Sequence, residues 1–250
     1  MNSLEETAHR SWPLPRAAWI IRMMWEDLLF AHWPIPAAVL RPLVPSSLEL
    51  DTFDGSAWLG IVPFRMTGVR LRGLPPVPGT SAFPELNVRT YVSAQGKPGV
   101  WFFSLDAASR IAVRAARAWF HLPYFDARMD SRGNGEEIAY SSVRIHRGAP
   151  TADFAARYRQ TGEIQRAANG SLEHFLTERY CLYAGDTTNA GDPRLLRGEI
   201  HHSPWPLQPA EAEITVNTMT APLGFRFPDT PPLLHFARRL DVVAWPPRPM

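Results

Sequence analysis

The chain has one cysteine in 250 residues, and reading along it finds one lysine. A lone Cys181 permits no internal disulfide and no cysteine-built zinc site. A lone Lys97 means that any chemistry needing an amine nucleophile uses that residue or none. Long apolar runs are also lacking. The richest stretch, 19–33, is interrupted by Arg22, Glu26 and Asp27, and it falls short of the ~20 residues of a membrane span. No basic segment followed by an apolar run opens the chain, so a cytoplasmic protein is expected. A formal net charge of +2 gives no electrostatic reason to expect nucleic acid as a partner. G-x-G-x-x-G, G-x-x-x-x-G-K-[ST], G-x-S-x-G and H-E-x-x-H are all missing. Their absence argues against common dinucleotide, phosphate-loop, serine-hydrolase and zinc-protease chemistries.

What is present is an ordinary globular composition, 45% hydrophobic and 20% charged, enough for one large core. The expected organisation is a loose tail over 1–15 and a single domain over 16–250. Twenty-five prolines favour strands and turns over long helices. Periodicity over 19–30 leaves helix and strand open. A short helix is expected at 36–44. Segments 48–53 and 57–64 read as a hairpin around Asp54-Gly55, and 70–80 as a loop. Strands at 86–94 and 100–104 flank a Gly-Lys-Pro-Gly turn in which Lys97 is expected to face solvent. Asp106 is a reasonable N-cap for the next helix. There Ile111, Ala112, Ala115 and Trp119 form an apolar stripe, opposite Arg110, Arg114 and Arg117. Further strands are expected at 138–146, 195–202 and 233–245, with a short helix at 172–180; 204–218 stays open. Strands dominate without βαβ alternation, which predicts a mostly antiparallel barrel or pair of curved sheets.

The most informative segment is F-P-E-L-N-V-R-T-Y-V, 83–92. Side chains on a strand alternate between faces. Glu85, Asn87, Arg89 and Tyr91 therefore share one face, while Leu86, Val88, Thr90 and Val92 share the other. Facing solvent, the polar row is an outer surface; facing the inside of a barrel, it is a binding site. A third arrangement pairs Glu85 with Arg89 internally.

Several motifs carry a resemblance. They are E-L-N-V-R-T-Y-V (85–92), W-F-F-S-L-D-A (101–107), L-P-Y (122–124), H-W-P-I (32–35) and L-E-L-D-T-F-D-G-S-A-W-L-G-I-V-P-F (48–64). T-E-R-Y-C-L-Y (177–183) and H-H-S-P-W-P-L (201–207) complete the set. Together they resemble the YqjF-like, or DUF2071, family of uncharacterised bacterial proteins over roughly residues 23–245. That family is grouped by fold with acetoacetate decarboxylase. The resemblance implies an α+β, β-dominated fold: a closed, double-psi-like antiparallel β-barrel with a few peripheral helices and a largely apolar internal cavity. It also admits a homo-oligomer. In the decarboxylase the region matching 118–125 carries a lysine pair, one of which forms a Schiff base with the keto substrate. Here Tyr124 and Phe125 stand in its place, so the resemblance does not carry that mechanism over.

Within such a barrel Arg89 would anchor a substrate carboxylate, because a guanidinium binds carboxylates bidentately. Glu85 would serve as catalytic acid or base if burial raises its pKa. Tyr124 is either an orienting proton donor or an ordinary core tyrosine. Asn87, Tyr91, His32 and Trp205 join Arg89 as expected substrate-binding residues. Arg179 joins them if it reaches the cavity instead of capping a helix end. His32, His201, His202 and His235 lack acidic partners at ligand spacing, and adjacent histidines on a strand face opposite ways, so neither metal nor cofactor is expected. The expected function is binding of a small organic acid or keto compound, with lyase-type acid/base chemistry that needs no Schiff-base lysine. The alternative is a non-catalytic small-molecule-binding protein. The expected partner is a small molecule, with neither nucleic acid nor membrane.

Overall fold

The computed structural model describes residues 5–77, 79–133, 135–185 and 195–250. In chain order the elements are β1 (Ile21–Ile35), α1 (Ala37–Leu40), β2 (Glu49–Leu50), β3 (Ala57–Leu71), β4 (Phe83–Ala94), β5 (Lys97–Ala107), α2 (Arg110–Phe120), β6 (Tyr124–Gly133) and β7 (Ile138–Arg144). There follow β8 (Asp153–Gln160), α3 (Leu172–Thr177), β9 (Cys181–Gly185), β10 (Leu195–His201), β11 (Gln208–Asn217), β12 (Leu233–Ala244) and β13 (Arg248–Pro249). The strands form one sheet in the order β13-β10-β9-β5-β6-β7-β8-β11-β12-β1-β3-β4-β2, and the further pairings β4–β5 and β10–β12 fold it back on itself. All pairings between these strands are antiparallel except β5–β6 and β5–β9.

Two strands fork. β5 pairs with β9 at Val100 and Trp101 and with β6 from Leu105 to Ala107. β12 pairs with β11 near Phe236 and with β10 near Ala244. The central strands β1, β3 and β4 are therefore covered on both faces. One face carries Leu28, Phe30, Val62 and Phe64 in one apolar cluster. The other carries Leu29, Ala31, Leu59, Ile61, Leu86 and Val88 in a second. Burial on both faces makes these strands read as near-continuous apolar runs.

Several local expectations change. Residues 19–30 resolve to strand, and 204–218 contain β11. The bend at Asp54 and Gly55, both at positive φ, closes an isolated Phe53–Ser56 bridge. β2, however, pairs with β4 and not with β3. The β4–β5 turn is only Gln95-Gly96, both at positive φ, as tight two-residue hairpins require. Lys97 consequently sits in β5, half-buried, with its Nζ 2.6 Å from Glu199 Oε1; it is not a free turn lysine. Asp106 is not the cap of α2. β5 continues past it, and buried Asp106 pairs with Arg144 at 2.9 Å. Ser109 caps instead, accepting from the Ala112 amide at 3.3 Å. Within the expected loose tail, Arg10 is buried and donates to the Ile200 carbonyl at 2.8 Å. Trp12 donates to Glu199 at 2.9 Å. That segment is pinned to β10. Among the described residues no helix is long and apolar enough to cross a membrane.

Candidate functional site

The face of β4 that carries Glu85, Asn87 and Arg89 lines a cavity of about 570 Å³. The same-face neighbours across the ladder are Phe64 opposite Glu85 and Val62 opposite Asn87, and both also line it. The polar row thus runs along an otherwise apolar wall. Tyr124, Arg179 and Trp205 reach the same cavity. Tyr91 and His32 are not on its wall.

Glu85 is 2% exposed. Its Oε2 accepts from the Tyr124 hydroxyl at 2.8 Å. Tyr124 gets there because β6 starts at that residue, in parallel register beside Leu105 of β5, which in turn faces Asn87. Burial pushes the Glu85 carboxyl up to about 8, against the opposing pull of the Tyr124 hydrogen bond. At neutral pH it is therefore mostly a neutral acid. With Oε2 accepting from Tyr124, Oε1 is the carboxyl oxygen left available to carry the acid proton. Burial, and then the nearby Glu85, drive the Tyr124 phenol well above its ordinary range, so it remains a donor.

Arg89 has no carboxylate within 4.0 Å among the described residues. Its Nε donates to the Tyr91 hydroxyl at 3.3 Å, and its guanidinium lies 5.4 Å from the Phe30 ring. The internal Glu85–Arg89 pairing is not formed; Glu85 bonds Tyr124 instead. Arg179, also at the cavity, is neutralised by Asp51 and donates to the Phe175 carbonyl at 2.7 Å. The Tyr91 ring lies between the two guanidinium groups, 5.6 Å from Arg89 and 5.2 Å from Arg179. Asn87 is buried with its Oδ1 unpartnered among the described residues. A buried amide oxygen without a partner costs stability unless something fills the role.

Behind Arg89, His32 Nε2 lies 2.5 Å from the Tyr91 hydroxyl. Since Arg89 donates to that oxygen, the phenolic proton points to His32. Burial first, then the charge of Arg89, hold His32 well below its ordinary pKa, which leaves the imidazole neutral and able to accept. His32 and Tyr91 therefore support Arg89 and do not line the cavity. The arrangement depends on Gly60, which sits in register between His32 of β1 and Arg89 of β4. A Cβ there would lie 3.0 Å from His32 Cδ2 and 3.3 Å from the Tyr91 hydroxyl. Gly60→Ala is expected to cost about 1–3 kcal/mol by overpacking and to weaken anion binding at Arg89. Chemical denaturation together with ligand titration reads both, and an unchanged affinity would show that this support is dispensable.

Thr177 and His202 also reach the cavity. His202 donates from Nδ1 to the Ser203 carbonyl at 2.7 Å, and burial lowers its pKa to about 3. Thr177 was missed as a site residue, although it opens the T-E-R-Y-C-L-Y motif. Among the described residues no group of three or more His, Cys, Asp or Glu is placed to hold a metal ion. Lys97 lies outside the cavity lining.

Comparison with known proteins agrees with this geometry at the level of fold. The solved structures it resembles include the enduracididine biosynthesis enzyme MppR complexed with pyruvate, with a TM-score of 0.63 at 11% identity over 98% of this chain and 93% of that one. Acetoacetate decarboxylase from Legionella pneumophila subsp. pneumophila str. Philadelphia 1 gives 0.61 at 12% identity, over 96% and 92%. In sequence, the uncharacterized protein YqjF of Bacillus subtilis (strain 168) is 52% identical over 235 residues, 94% of each chain. The profile of DUF2071, described as an uncharacterized conserved protein, matches residues 22–241. The match of the family profile to residues 22–241, together with a relative 52% identical over 94% of each chain, makes the chain a member of the DUF2071 family.

Proposed function

We propose that the protein binds a small organic acid or keto compound in this cavity and acts on it by acid/base chemistry, without a Schiff-base lysine. The observation that carries the reading is Arg89: a guanidinium in an apolar wall with no carboxylate of the described residues to neutralise it. A cation so placed favours an anionic ligand, and its planar fork suits a carboxylate. Glu85 supplies the second element, a carboxylic acid kept protonated at neutral pH by burial. Such an acid can deliver its Oε1 proton to a substrate oxygen as negative charge develops there. Tyr124 fixes the orientation of that carboxyl, and the open Asn87 Oδ1 offers an acceptor to a substrate hydroxyl. The one lysine of the chain, Lys97, is engaged with Glu199 away from the cavity, so amine catalysis has no residue to use. A fold neighbour, MppR, is known in complex with pyruvate, in keeping with a small keto acid as one candidate ligand.

The test is a thermal-shift panel of carboxylic and β-keto acids, followed by assays for turnover. A ligand specific to the folded state raises the melting temperature by mass action. Glu85→Gln is expected to retain binding and lose turnover by about 10²–10⁴-fold, the usual contribution of a general acid. Binding without turnover in the wild type would assign a non-catalytic binding protein. No shift with any acid would sink the anion site.

A further inference from the structure

We infer that the ligand is an acid with a long apolar tail, whose chain leaves the cavity across an exposed hydrophobic rim. The inference rests on the proposed anion site at Arg89 and adds the class of acid it takes. The polar groups are confined to one wall, whereas the cavity opens between the loop after β3 and helix α2. Leu71 at the end of β3, Leu74 and Val77 on the loop, and Ile111 and Trp119 on the helix line this opening and are 44% to 65% exposed. They are five of the ten large hydrophobic residues recorded as exposed in the described chain. Scattered surface leucines need no explanation, but a contiguous patch marks a binding surface.

The sequence expectation for α2 was an apolar stripe opposite an arginine face. The stripe forms, but only part of it packs inward. Val113 is the residue buried beneath the helix, while Ile111 and Trp119 face the opening. The loop between β3 and β4 likewise sets Leu74 and Val77 among prolines at the surface. Both segments leave large apolar residues exposed, and both continue an apolar wall that leads down to Arg89. From Phe83, at the rim end of β4, to Arg89 is six residues, about 20 Å of strand. A short acid held at Arg89 leaves that wall and the rim uncovered. A long acyl chain covers both, with its carboxylate on Arg89 and its tail passing Glu85 towards Trp119. Arg70 lines the opening, and residues 70–83 and 108–123 contain no Asp or Glu. The field at the mouth therefore favours the approach of an anion.

The experiment is calorimetric titration of the full chain with butanoate, octanoate, dodecanoate and hexadecanoate, each below its critical micelle concentration. Affinity is expected to rise roughly fourfold per methylene along the part of the series that reaches the wall and rim. Leu74→Asp and Trp119→Asp change exposed positions and leave folding intact. They are expected to weaken dodecanoate at least tenfold with butanoate unchanged, whereas Arg89→Met weakens every member. A series flat in chain length, with Arg89-dependent butanoate binding retained, overturns the tail but leaves the anion site standing. Failure of every acid overturns both. Light scattering accompanies the titration: a wild-type dimer that Leu74→Asp makes monomeric, with no gradient in the series, would assign the rim to a second copy and also overturn the inference.

Discussion

Arg89→Met is expected to lower carboxylate affinity by about 100-fold, close to 3 kcal/mol, while leaving the unliganded protein as stable as before or more so. Arg179→Met, on the other side of the Tyr91 ring, is expected to do the reverse and cost about 3–5 kcal/mol of stability. The two guanidinium groups share an aromatic neighbour and a cavity, but their charge balance differs. Arg179 is 6% exposed and paired with Asp51, which is 17% exposed. Removing it strands a mostly buried carboxylate, the costly way to break an ion pair. It also removes the donor to the Phe175 carbonyl. Arg89 has no such partner. Its loss strands no opposite charge, and its hydrogen bonds at 3.3 Å to the Tyr91 hydroxyl and 3.5 Å to the Leu176 carbonyl, with ring contacts beyond 5 Å, are weak restraints. Methionine keeps the length and apolar character of the side chain. Urea denaturation and carboxylate titration of both variants separate the roles. A large loss of stability in Arg89→Met with affinity unchanged would show that Arg89 is structural and sink the anion-site reading.

The alternation along β4 was legible because period two survives in any strand. The sequence could not say which face was inside, since both are. Leu86 and Val88 enter one apolar cluster while Glu85, Asn87 and Arg89 line the cavity, an outcome that depends on β5 and β12 each serving two sheets. Such forks are long-range pairings with no local signature. Strand β8 was missed although Phe154, Ala156 and Tyr158 alternate with Asp153, Ala155 and Arg157, a period-two pattern present in the residues. Strand β6 was missed for a better reason, because its distal half, Arg128 to Gly133, is polar on both faces and largely unburied. The position of Tyr124 was suggested by the resemblance, but its partner was not. Its bond to Glu85 requires β6 to return parallel to β5 after the α2 crossover, a pairing with no local signature. The rim was hidden by a compositional habit: a segment rich in proline and glycine reads as a polar loop, yet Leu71, Leu74 and Val77 sit within it. The support of Arg89 by His32 and Tyr91 was equally out of reach, since it arises where three strands place His32, Gly60 and Arg89 side by side.

Between pH 6.5 and 8 the wild-type protein is expected to lose stability relative to Glu85→Gln as the pH rises. Glu85 is raised from an ordinary 4.5 to about 8, so the folded state holds its proton more tightly than the unfolded chain does. Stability then falls with rising pH from about 4.5 until Glu85 is ionised, and is flat above. Asp106, raised to about 6 mainly by burial, acts with the same sign but is spent by pH 6. His202, lowered to about 3, acts with the opposite sign, as do His32 and His235, which are also lowered. Their effect is half complete at their ordinary value of 6.5 and fades about one unit above it. Cys181, pushed up to about 12, begins to matter only near its ordinary value of 9.0. The histidine contribution is common to wild type and Glu85→Gln, so the difference between the two profiles from 6.5 to 8 isolates Glu85 among these shifted groups. One proton over that interval corresponds to a loss of about 2 kcal/mol, or roughly 4–8 °C in melting temperature for a chain of this size. Glutamine mimics the protonated acid, accepts the same Tyr124 hydrogen bond and cannot ionise, so its profile carries the histidine contribution without the Glu85 decline. Tyr124→Phe removes a hydrogen bond that lowers the Glu85 pKa and is expected to move the decline to higher pH. Melting curves of the three proteins in matched buffers decide the matter. A wild-type profile parallel to that of Glu85→Gln would mean that Glu85 is already ionised at neutral pH, and it could then serve as a base but not as the acid proposed for it.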